Sequence, residues 1–220
     1  MPGKRHDREA ATALQGAVAA APEYADAHVR LGIALEASGA MEGALAAYRA
    51  AGQARALRAD ASYRAGDLLD SLGNAEAAIT AYRHAAAGAP KTTLGRIAAA
   101  RALMAENHDA AAETMLRRAL ALDPANAIAQ DLLGHVLADS GRFDEAYQAL
   151  ARAIALSPLR AESYYDMVCC RRIGPQDGEL IAHMQAALAV PGLEPAQTSR
   201  VHLALGKAAD DCGDYAEAMR

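Results

Sequence analysis

Seven carboxylates recur along this 220-residue chain in step with its helical periodicity: Asp26 and Glu36, then Asp60, Asp67 and Asp70, then Asp131 and Asp139. Arg101 and His135 occupy equivalent positions, with Tyr63, Ile97 and Met104 among them. Carboxylates gathered on one face attract cations, such as the lysines and arginines of a peptide. They do not by themselves make a catalyst. The chain has no Gly-rich phosphate loop, no HExxH, no G-x-S-x-G and no paired-cysteine ligand set. Its seven histidines are scattered and lack metal-ligand spacing. The sequence therefore predicts a binding chain with no catalytic residues, no metal site and no cofactor of its own.

Composition narrows the class. Hydrophobic residues make up 53%, yet aromatics only 4%, with no Trp and one Phe. Alanine supplies much of the apolar count, so the core must come from close backbone approach between helices. The net charge of −5 gives no basic footprint for nucleic acid. Three cysteines without CxxC spacing argue against a disulfide framework and for a reducing compartment. In the pair Cys169–Cys170 the side chains lie about 100° apart on a helix, so one of them is expected to be buried. The Arg pairs at 117–118 and 171–172 are expected on solvated helix faces. No apolar run is long enough to cross a membrane. The expectation is a soluble, cytoplasmic chain.

The elements that position the carboxylates repeat every 34 residues. Gly32, Gly66, Ala100 and Gly134 form one column, and Leu35, Leu69, Leu103 and Leu137 a second. Gly39, Gly73, Asn107 and Gly141 mark a break, because glycine and asparagine tolerate the left-handed end of a helix. Ala44, Ala78, Ala112 and Ala146 follow, then Tyr48, Tyr82, Leu116 and Leu150, then Ala51, Ala85, Ala119 and Ala153. Pro90, Pro124 and Pro158 close the period, with Ala56 in the first unit. Small residues in the first helix admit a crossing second helix, whose alanines are expected to oppose them. The leucine and Tyr/Leu columns are expected to fill the space beside the crossing.

This pattern is similar to the tetratricopeptide repeat (TPR) family, units of 34 residues folded as helix–turn–helix. The resemblance implies an all-α, right-handed superhelical solenoid of antiparallel helix pairs, about twelve helices in all. Four regular units span residues 25–160, preceded by a capping helix within 1–22. Residues 161–198 form an irregular unit and a long connection, and 199–220 begin a further unit. In the irregular unit Val168 stands in the small-residue column, so a wider crossing is expected. The family's first helices line a concave groove. Its lining positions carry the seven carboxylates and one arginine, a net −6 against −5 for the whole chain. Two alternatives stay open: a solvated helix face, or a groove for a basic or mixed basic–apolar peptide. The Lys/Asn carboxylate clamp of chaperone-binding members is absent, since Val29, Ile33, Arg64, Leu94 and Ala98 stand there. The asparagine ladder of glycosyltransferase-type members is absent too, its places held by Arg30, Arg64, Ala98, Leu132 and Asp166.

Residues 177–219 are more specific. His202, Leu203, Ala204, Leu205, Gly206, Lys207, Asp211, Gly213, Asp214, Tyr215 and Ala218 resemble a segment of bacterial proteins that join TPR units to a sulfotransferase domain. That resemblance implies a 3′-phosphoadenylyl-sulfate-dependent catalytic domain beyond this chain, and no catalytic residue within it. A second helix of the last unit needs about a dozen residues. The expectation is more sequence after Arg220, or a partner covering an exposed C-terminal end at Leu203 and Leu205.

Overall fold

The computed structural model describes residues 2–54, 57–158, 161–190 and 195–213. Ala56 and residues 214–220, including Asp214, Tyr215 and Ala218 of the expected last unit, lie outside the described residues. Twelve α-helices, one short 3-10 turn and no strand occur among the described residues. The chain divides into two compact units, residues 1–115 and 116–220.

The first unit holds α1 (Pro2–Ala20), α2 (Ala25–Ser38), α3 (Met41–Ala51), α4 (Arg58–Ser71), α5 (Ala75–Gly88), α6 (Thr93–Ala105) and the start of α7 (Asp109–Leu122). Successive helices pack on each other from α1 through α6. The expected capping helix is α1. It sets Ala11, Leu14 and Val18 against Leu31, Leu35 and Tyr48. The second unit holds the rest of α7, α8 (Ala127–Asp139), α9 (Phe143–Leu156), α10 (Ala161–Cys170), the 3-10 turn (Pro175–Asp177), α11 (Gly178–Leu188) and α12 (Pro195–Cys212).

The break column ends the first helices as the sequence predicts. Gly39, Gly73, Asn107 and Gly141 have φ of 87°, 74°, 60° and 74°. Each lets the next residue's N–H turn back to a carbonyl five residues earlier, closing the helix end. The acceptors are the carbonyls of Leu35, Leu69, Leu103 and Leu137, at 2.8 to 2.9 Å from the N–H groups of Ala40, Asn74, His108 and Arg142. The leucine column thus supplies the capping carbonyl, and at Leu35, Leu69 and Leu137 a core side chain as well.

The small-residue column faces a different partner from the one expected. The alanine columns are buried, but the group facing each glycine is the Tyr/Leu column. A methyl group on Gly32 would overlap the Tyr48 ring, and one on Gly66 would lie 2.6 Å from Tyr82 Cε1. On Gly134 it would lie 2.5 Å from Leu150 Cγ. The glycine is therefore the socket into which the large second-helix side chain fits, and the alanines let the two backbones approach around it. Tyr48, Tyr82 and Leu150 are almost fully buried in consequence.

The irregular unit departs from the register. Val168 is fully buried in the small-residue column. Its helix, α10, packs against α9 and α12, and α11 also packs on α12. A Val side chain fills the place a glycine would leave open, and α10 takes α12 as a major neighbour.

Replacing Gly134 by Leu forces a side chain onto Leu150, and the overpacking costs about 3 kcal/mol. That corresponds to a melting temperature lower by roughly 6–12 °C for a chain of this size. A thermal melt followed by circular dichroism measures it. An unchanged midpoint would contradict the register.

Candidate functional site

The carboxylates of the first unit sit on the first helices α2 and α4, and most are engaged locally. Asp26 pairs with Arg30 one turn on, Nε to Oδ2 at 2.6 Å, and Asp60 pairs with Arg64 at 3.1 Å. Both are i,i+4 pairs of partly exposed side chains, which solvent and salt screen. Glu36 accepts a 2.7 Å hydrogen bond from the Tyr48 hydroxyl, and Asp67 a 2.8 Å bond from Tyr82. The Tyr column therefore does two things. Its ring fills the glycine socket, and its hydroxyl reaches through to a carboxylate on the first-helix face. Burial pushes the Tyr48 and Tyr82 hydroxyls up, and a carboxylate neighbour adds to the shift.

Arg101 is the centre of this face. Its Nη1 lies 3.6 Å from both Asp67 and Asp70, and donates to the Tyr82 hydroxyl at 3.4 Å. The guanidinium also lies over the Tyr82 ring, 5.7 Å from its centroid. Burial pushes the Asp67 carboxyl up, and Arg101 and Tyr82 pull it back. Two carboxylates share one guanidinium, and Asp70 remains half exposed. Ile33 is exposed and Met104 half-buried on the same series of helices.

Three predicted lining residues are corrected. Tyr63, Ile97 and Asp131 are buried, at 7%, 3% and 3% exposure, as is Val29 at 7%. All four occupy the same position of their repeat, and that position packs between helices instead of lining an open face. Tyr63 stacks on Tyr82 at a ring separation of 5.8 Å. Asp131 accepts a hydrogen bond from Ser163 on α10.

In the second unit His135 stands between two carboxylates, its Nε2 3.4 Å from Asp166 on α10 and 3.8 Å from Asp131 on its own helix. Asp139 is exposed. Burial raises the Asp166 carboxyl above its usual range. Asp131 and Asp139 add to that, while His135 and Arg200 oppose it. No group of His, Cys, Asp or Glu with metal-binding geometry occurs among the described residues.

Of the Arg pair at 171–172, Arg172 is exposed as expected, while Arg171 is half-buried and tied to its surroundings. Arg171 donates to both carboxylate oxygens of Asp177 and to the Tyr147 hydroxyl at 2.8 Å, and lies over the Tyr147 ring. Arg172 donates to the Asp211 carbonyl at the C-terminus of α12, at 3.1 and 3.2 Å. A cation there complements the helix dipole. Of the cysteine pair, Cys170 is buried and Cys169 exposed, as expected, and burial pushes the Cys170 thiol up to about 11.

Repeated sockets, left-handed caps and helix pairs at this period coincide with the sequence match. The tetratricopeptide repeat family model matches residues 6–56 and 97–165, and a second model of that family matches 59–91. This chain belongs to the tetratricopeptide repeat family. No curated protein matches it in sequence. The TPR protein TTC0263 of Thermus thermophilus superimposes with a TM-score of 0.66 at 22% identity, over 82% of this chain and 98% of its own. YrrB, a TPR protein with an unusual peptide-binding site, superimposes with a TM-score of 0.54 at 22% identity, over 96% and 97% of the two chains. A chain of the APC/C hetero-tetramer Cut9–Hcn1 gives a TM-score of 0.69 at 19% identity, over 91% of this chain but only 40% of that one. At these identities the likeness is one of fold: an all-α TPR solenoid, the architecture of protein- and peptide-binding scaffolds. No helix among the described residues is long and apolar enough to cross a membrane.

The buried TPR junction at Asp166 has a pH signature. Its folded pKa is raised, so its contribution is complete below the unfolded carboxylate range near about 4 and declines as pH rises through the folded value. Asp166→Asn abolishes that decline. Urea melts should find the variant gaining on the parent between pH 3 and pH 7. A variant that loses ground over that range would contradict the assignment.

Proposed function

We propose that this TPR chain is a scaffold that binds a protein or peptide bearing basic, or mixed basic and apolar, side chains on the first-helix face of its first unit. The observation that carries the reading is the sharing of Arg101 by Asp67 and Asp70. One positive charge stands against two negative ones, and the half-exposed Asp70 keeps capacity for a ligand cation. Exposed Ile33 and half-buried Met104 offer apolar contact beside these charges. The i,i+4 arginines Arg30 and Arg64 reduce the acidity of this face below what its carboxylates alone suggest, which makes the interaction a weak, salt-sensitive one. Catalysis and cofactors have no part in this reading. Exposed thiols at Cys169 and Cys212 suit a reducing compartment such as the cytoplasm.

A second reading rests on residues 177–219 alone. Their resemblance to the segment that precedes sulfotransferase domains makes these repeats the recruiting part of such an enzyme, delivering a protein acceptor to it. The encoding reading frame beyond Arg220 decides between a scaffold and an enzyme's recruiting region.

The binding face is tested with a fluorescein-labelled peptide of alternating lysine and leucine, followed by anisotropy. Changing Glu36, Asp67 and Asp70 together to their amides should weaken binding about tenfold, or about 1.4 kcal/mol. Raising the salt should weaken the parent in the same direction. Affinity indifferent to both would overturn the proposal.

A further inference from the structure

The first unit carries a second concavity on a different set of helices. A cleft of about 1000 Å³ runs between the second helices α3 and α5, with α4 as its floor. The floor is small and apolar: Ala61, Ala65 and Leu69 from α4, with Ala77 and Ala81 from the α5 wall. Gly52 and Gly88 stand toward the C-terminal ends of α3 and α5. Its size is at the upper end of the range for ligand sites. The 14-residue α5 wall is about 20 Å long, which matches a helix of about four turns.

The charges in this cleft are the reverse of those on the first-helix face. Arg49, Arg58 and His84 line it, against one carboxylate, Glu76. The two sets differ in how their arginines are used. Arg30, Arg64 and Arg101 all face carboxylates. Arg58 donates only to a backbone carbonyl, that of Gly52, at 3.3 Å. Among the described residues, Arg49 and His84 face no carboxylate within ion-pair distance, and both are exposed. Arg49, Arg58 and His84 lie about one turn before the end of α3, at the start of α4 and one turn before the end of α5. Gly88 at the end of α5 approaches Ala59 at the start of α4, so these basic side chains cluster at one end of the cleft. Glu76, in the first turn of α5, lies at the other end.

We infer that this cleft is a second docking site, for an amphipathic helix of a protein partner that carries an apolar ridge and acidic residues at one end. Small floor residues admit the partner's leucines in the way a helix-in-groove interface requires. Arg49 and Arg58 at one end read the partner's carboxylates, the His84 ring offers a further hydrogen bond there, and together they fix the partner's direction. The site is separate from the first-helix face, so one chain can hold a basic and an acidic partner together.

The probe is a fluorescein-labelled helical peptide of about four turns, with leucines at i, i+3, i+4 and i+7 spacing and glutamates at one end. Its control has lysines in place of the glutamates. Anisotropy on the whole chain should give saturable binding of the acidic probe, at least tenfold tighter than the control. The double variant R49E/R58E should lose at least tenfold, and Thr80→Trp, which narrows the cleft at an exposed position, should lose a similar factor. Both keep the parent's circular dichroism. Changing Asp67 and Asp70 to Asn should leave this binding intact, which separates the site from the first-helix face. Equal affinity for the two probes, indifference to R49E/R58E, or sedimentation showing the cleft occupied by a second copy of the chain would overturn the proposal.

Discussion

The fold depends on one steric constraint, the fit of a large second-helix side chain into the space left by a missing Cβ. Gly32, Gly66 and Gly134 each receive the Tyr or Leu that lies 16 residues later. Once the socket is filled, the helices of a pair are fixed in separation and register. The left-handed cap then returns the chain at the required angle, and the alanine columns close the backbones around the contact. A chain with so few aromatics packs its helices closely through sockets of this kind, with small side chains around each one. The same constraint explains why the tyrosines are shared between core and face. A ring held in the socket has its hydroxyl directed at Glu36 or Asp67, so the polar surface is ordered by the core beneath it.

The repeat columns were legible in the sequence because each is set by a local steric demand. Gly and Asn at 34-residue spacing could only mean a recurring backbone need, and the φ values agree. The facing residue was less legible, since a period says which positions recur but not which pairs touch. The arrangement of the first-helix carboxylates was read in part. Asp67 and Asp70 lie beside Arg101, and Glu36 and Asp67 accept from tyrosine hydroxyls of the second helices. The burial of Tyr63, Ile97 and Asp131 was not visible, because their residue types alone, two of them polar, do not say that this repeat position packs between helices. A signal for the paired acids was present all the same. Arg30 and Arg64 follow Asp26 and Asp60 by one turn, and that spacing favours an ion pair on any helix.

Beyond residue 160 the register that made contacts readable is lost. Ser163, Asp166, Arg171 and Arg172 look like ordinary helix and loop residues in sequence, yet each makes a tertiary contact. Val168 gives the reason: a branched side chain has replaced the socket, so nothing in the local pattern says which helix α10 will choose. The polar junctions there carry the specificity that sockets carry elsewhere. Their partners are 24 to 39 residues away for Tyr147, Asp131 and Asp211.

The packing of α10 on α12 changes how this part of the chain comes apart. In a solenoid whose helices touch only their neighbours, each unit can fray with a modest loss to the next, and stability is close to a sum of nearest-neighbour contributions. Here α11 is bracketed by two helices that grip each other, and Arg172, Ile173 and Asp211 stitch their ends together. Removing α12 strips contacts from both α10 and α11. Loss of α12 therefore loosens two helices at once, which makes this part of the chain less divisible than a strict nearest-neighbour array.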